Sequence, residues 1–72
     1  MMNNVEIFLD YQEKWSEAFC NEDFDNCEKL AKEGEEWRNK NFSKQDWEQL
    51  IAQSTGRAKY EYTRMMKEKF PD

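Results

Sequence analysis

An all-α fold, a small three-helix bundle built from a helical hairpin and a long C-terminal helix, is predicted by three observations. Glycine occurs only twice in the 72 residues and proline once, next to last, so little interrupts a helix. No stretch alternates apolar and polar residues long enough to make a strand. Apolar residues instead recur at the three- and four-residue spacings of a helix face.

The first helix is expected from about Asn4 to Cys20, with Asn3 or Asn4 supplying the N-cap oxygen. At about 100° per residue, Phe8, Tyr11, Trp15, Ala18 and Phe19 share one face, which is expected to meet the core, with Val5 and Ile7 at its margins. The polar run Asn21 to Asp23 reads as a turn. A second helix follows from about Phe24 to Asn39, its apolar side carrying Phe24, Cys27, Leu30, Ala31, Gly34 and Trp37. So short a turn makes the two helices an antiparallel hairpin. Gly34, within the apolar stripe, costs about 1 kcal/mol against alanine. The expected compensation is room for a bulky neighbour such as Trp15.

Phe42, Ser43, Asp46 and Trp47 form the strongest start signal: staple residue, N-cap, capping-box acid and staple partner. The third helix is expected from Lys44 to about Lys69, because Trp47, Leu50, Ile51, Ser54, Ala58, Tyr62 and Met65 keep one angular phase. Gly56 lies opposite that stripe, where a kink is tolerated. All 72 residues are read as a single helical domain, since so short a chain supplies one core. The hairpin from Ala18 to Leu30 resembles a tetratricopeptide unit, with Ala18 and Phe19 before a tight turn and Phe24 after it. The resemblance covers about a third of the chain and lacks the repeat, so no peptide-groove function is carried over from it.

Composition argues against an enzyme. Histidine is absent, so the usual base beside a nucleophile is missing, and no glycine-rich loop is present to cradle phosphate. Cys20 and Cys27 have the acidic neighbours Glu22, Asp23, Asp25 and Glu28, which raise rather than lower a thiol pKa. Both are read as reduced thiols. Two cysteines without histidine make a poor zinc site, so neither metal nor cofactor is expected. No apolar run reaches the roughly 20 residues that cross a bilayer, and Met1 to Leu9 lack the basic region and cleavage site of a signal peptide. The expected location is the cytoplasm.

Charge is distributed unevenly. Residues 1–28 hold eight acidic residues and one basic, net −7, whereas residues 29–72 hold eight acidic and ten basic, net +2, giving −5 in all. Glu6, Asp10, Glu13 and Glu17 fall within about a 60° arc of the first helix, away from its apolar face. Like charges at i,i+4 cost roughly 0.2 to 0.5 kcal/mol per pair, so folding alone does not call for this ridge. It reads as a docking face for a basic surface on another protein. Arg57, Tyr60, Arg64 and Lys67 form a basic stripe on the third helix that suits phosphates or an acidic partner, diluted by Glu61 and Glu68.

The expected function is therefore a non-enzymatic protein-interaction module, a small acidic inhibitor or adaptor. Its size and charge fit the small inhibitors encoded by phages and mobile elements, some of which block host proteins. One alternative is a small nucleic-acid-associated regulator using the basic stripe, although the net charge disfavours nucleic acid as a partner. Another is a structural subunit of a homo-oligomer, in its simplest form a homodimer, through Leu9 and the apolar residues near the termini.

Overall fold

The structure, a computed structural model, describes residues 2–71. Among them it is all-helical, with four helices rather than three: α1 Asn4–Cys20, α2 Phe24–Asn41, α3 Lys44–Gln53 and α4 Gly56–Lys69. No described helix is long and apolar enough to cross a membrane. The helices group into two compact units, the first ending at Asn41 and the second beginning at Phe42.

The first unit is the α1/α2 hairpin. Asn3 caps α1 with a full capping box: its side chain accepts from the Glu6 amide at 2.9 Å, and Glu6 Oε1 accepts from the Asn3 amide at 3.2 Å. The helix ends in a Schellman arrangement, in which the Glu22 amide donates to the Phe19 carbonyl and the Asp23 amide to the Ala18 carbonyl. Glu22 takes φ 58°, a conformation usually left to glycine. Numbers of meeting residues then run in opposite directions: Asn4 Nδ2 donates to the Asn41 carbonyl, Tyr11 packs on Gly34 and Trp37, and the Cys27 thiol donates to the Trp15 carbonyl. This is the expected antiparallel hairpin.

Gly34 accommodates Tyr11 rather than the expected Trp15. A Cβ built on Gly34 would stand 3.1 Å from Tyr11 Cβ and 3.3 Å from its Cγ. Residue 11 sits level with residue 34 in the antiparallel register, whereas Trp15 lies one turn nearer the hairpin turn. Val5, Phe8, Ala18, Cys27 and Arg38 are buried in this unit. Arg38 lies over the Phe8 ring, its guanidinium carbon 5.3 Å from the centroid, and its Nη2 donates to Asn39 Oδ1.

The second unit is the α3/α4 pair. Ser43 caps α3, its hydroxyl accepting from the Asp46 amide at 3.2 Å while Asp46 Oδ2 accepts from the Ser43 amide at 3.0 Å. Phe42 meets Trp47 edge-to-face with ring centroids 5.4 Å apart, which completes the staple. Phe42, Trp47 and Leu50 are buried, and Trp47 also reaches Tyr62 on α4 at 6.4 Å.

The expected continuous helix from Lys44 to Lys69 is broken at Ser54 and Thr55, both in extended conformation, and Gly56 follows at φ +60°. Ser54 Oγ donates back to the Leu50 carbonyl at 2.8 Å. Serine, threonine and glycine in succession are three weak helix formers, the first two because their hydroxyls compete for the backbone. Folding α4 back also lets Tyr62 pack on Trp47, a contact that a single straight helix forbids, since residues 15 apart lie roughly 22 Å apart along its axis.

Candidate protein-interaction surfaces

Because α1 is unbroken, Glu6, Asp10, Glu13 and Glu17 do share one side of it. Their local roles differ. Glu6 belongs to the capping box, where a carboxylate also suits the positive end of the helix dipole. Asp10 pairs with Lys14 at 3.1 Å, with both side chains substantially exposed. Exposed i,i+4 pairs of this kind contribute roughly 0.3 to 0.5 kcal/mol. Glu13 and Glu17 are exposed, and Glu17 stands in the last turn of α1, which contains no basic residue. A carboxylate there opposes the helix dipole and stands one turn from a like charge. Folding thus accounts for the first half of the ridge and works against the second.

The residues of the basic stripe, Arg57, Tyr60, Arg64 and Lys67, all lie on α4. Tyr60 is 69% exposed, which leaves its ring free to stack. Each arginine is matched one turn on by a carboxylate: Arg57 with Glu61 at 3.1 Å and Arg64 with Glu68 at 3.6 Å. These pairs are solvent-exposed and open readily, but while they persist they reduce the charge the stripe presents.

A third surface was not read from the sequence. On one side of the hairpin a cleft of about 500 Å³ runs between α1 and α2, lined by the apolar Phe8, Tyr11, Trp15, Leu30, Ala31 and Gly34 together with the polar Gln12, Ser16, Glu35 and Arg38. It continues into a ladder of exposed rings at the hairpin end. Trp15 stacks on Phe19 with centroids 5.4 Å apart, and Phe19 meets Phe24 edge-on at 5.9 Å. The three are 38%, 53% and 58% exposed. The sequence assigned them to a core-facing stripe. A two-helix unit buries one line of contact and leaves the flanks of a broad apolar stripe open, so the width of the stripe was the signal.

Cys20 is exposed and Cys27 buried. Burial pushes the Cys27 thiol above its ordinary pKa, with smaller contributions from the Asp23 carboxylate and from Cys20. Cys27 is therefore less of a thiolate than a free cysteine, which does not favour nucleophilic chemistry. Among the described residues no three His, Cys, Asp or Glu side chains group as metal ligands would. No protein-family model, curated protein or solved structure matches the chain.

Proposed function

We propose that the protein is a non-enzymatic interaction module that docks a basic surface of another protein against the acidic face of α1. The observation that carries this reading is the placement of Glu13 and Glu17. Both are exposed, they repel each other at i,i+4, and the second opposes the dipole of its own helix. A cationic partner would relieve both costs at once and would be steered to the face over long range. In such a role the chain acts by occupying a surface of a cytoplasmic partner, as a small inhibitor or adaptor does.

The test is affinity capture from a lysate of the source cells, comparing wild type with a variant carrying Glu6, Asp10, Glu13 and Glu17 all changed to glutamine. Glutamine at position 6 retains the capping oxygen, so the helix is kept. The expected result is a basic protein retained by the wild type and lost by the variant, with retention falling as salt rises. Identical capture by both proteins would refute docking through the ridge.

A further inference from the structure

The exposed rings of Trp15, Phe19 and Phe24, continued into the hairpin cleft by Tyr11, Leu30 and Ala31, form an apolar strip that the α1/α2 pairing leaves open. Along α1 it runs from Tyr11 to Phe19, eight residues and so roughly 12 Å, or about two turns of a helix laid into it, with buried Phe8 closed off beyond it by Arg38. On α2 the small, exposed Ala31 allows close approach, with Trp15 and Leu30 beside it. A concave apolar strip of this length between two helices suits the apolar face of a third.

Charge decides which third helix. Around the far rung of the ladder, residues 21–28 contain Glu22, Asp23, Asp25 and Glu28 and no basic residue. All four are exposed. Residues 1–41 as a whole hold eleven acidic residues and five basic, net −6. A second copy presenting the same hairpin would bring −6 against −6, and an acidic helix would fare no better; a second copy presenting α4 would bring cations, but Arg57 and Arg64 there are already paired with Glu61 and Glu68. A helix with Lys or Arg beside its apolar row gains from the same carboxylates, and its cations can also lie over the exposed faces of Phe19 and Phe24.

We infer that the α1/α2 cleft, with Trp15, Phe19 and Phe24, is the seat of a basic amphipathic helix contributed by another protein. This rests on the reading of the chain as an interaction module, and it supplies an apolar anchor on a different side of α1 from the acidic ridge. The partner carries apolar residues at i, i+3, i+4 and i+7, with cations toward the hairpin turn.

The test uses the full chain and backbone amide NMR, titrated with three synthetic peptides of about 18 residues, roughly 27 Å of helix. One carries a leucine row with lysines on the other face, the second carries glutamates in place of lysines, and the third has the composition of the first in scrambled order. The lysine amphipath is expected to shift the amides of Trp15, Phe19, Phe24 and Ala31 and to bind at least about tenfold tighter than either control. Changing both Phe19→Ala and Phe24→Ala, whose rings are more than half exposed, is expected to weaken it about tenfold while the amide spectrum of the rest of the chain shows the fold retained. Equal binding of the ordered and scrambled basic peptides overturns the inference, as do shifts confined to the Glu6 to Glu17 face. Sedimentation showing a dimer that the double alanine variant abolishes would also overturn it, by giving the strip to a second copy. The two readings fail separately: capture lost with the glutamine ridge but kept by the double alanine variant removes the cleft alone, and the converse removes the ridge alone.

Discussion

Tyr11 and Gly34 are in contact with no room to spare: a Cβ at position 34 would meet Tyr11 Cβ at 3.1 Å and Cγ at 3.3 Å. Both tyrosine atoms lie next to the backbone of α1, so they move only if the helix moves. Gly34→Ala gains about 1 kcal/mol of helix propensity and loses about 1 to 3 kcal/mol to overpacking. The net expectation is destabilisation by about 1 kcal/mol, seen as a melting temperature lower by roughly 4 to 8 °C for a chain of this size. A melting temperature raised by the substitution would show that the two helices part freely.

The turn between α1 and α2 contains the opposite opportunity. Glu22 holds the left-handed conformation that closes the Schellman arrangement, at φ 58°. A side chain there costs about 1 kcal/mol relative to glycine, part of which is returned by the glycine's greater freedom when unfolded. Glu22→Gly is expected to stabilise the protein by about 0.5 kcal/mol, with Glu22→Asn intermediate. Chemical denaturation of the three proteins side by side checks the order.

At the start of α3 the capping box is made of Ser43 and Asp46. Ser43→Ala removes the acceptor for the Asp46 amide and is expected to cost about 1 kcal/mol, whereas Ser43→Asp should keep the cap. Trp47, four residues on and buried, reports the change by its fluorescence during unfolding.

The two thiols should behave unlike each other. A thiol reagent at neutral pH is expected to label exposed Cys20 first and Cys27 only as the protein opens, and mass spectrometry of the digested product separates them. The raised pKa of Cys27 also carries a sign. The folded protein retains that proton where the unfolded chain releases it, so the contribution to stability is complete below the ordinary thiol value of about 8.5 and is lost as pH rises through the folded value. Cys27→Ala is expected to flatten the fall in stability between neutral and alkaline pH. An unchanged slope would assign that fall to other groups.

Helix starts were legible in the sequence where the signal is local. Asn3, Ser43, Asp46, Phe42 and Trp47 act within a few residues of one another, so residue type and spacing were sufficient. The break at Ser54 and Thr55 was hidden because the apolar phase from Trp47 to Met65 runs through it, and periodicity does not register a reversal of the chain. The better guide was the propensity of Ser54, Thr55 and Gly56 taken together. Among the candidate surfaces, the ridge was visible because its spacing belongs to one helix. The cleft was not, because which flank of a stripe stays open depends on the second helix: Gly34 draws Tyr11 inward, while Trp15 remains at the rim.

The exposed stack of Trp15 on Phe19 gives the molecule an optical consequence. Of the three tryptophans Trp47 is 1% exposed, Trp37 half-buried and Trp15 38% exposed, so the emission of the chain runs from a shielded component to an open one. Small ions reach Trp15 most readily, and there they meet Glu22, Asp23, Asp25 and Glu28 at the same end of the hairpin. Measured against their quenching of a free tryptophan amide, caesium should therefore be favoured over iodide at the red edge of the emission, a bias that high salt removes. That ratio of quenchers measures, in the unlabelled protein, the sign of the electric potential above the hairpin's aromatic rings.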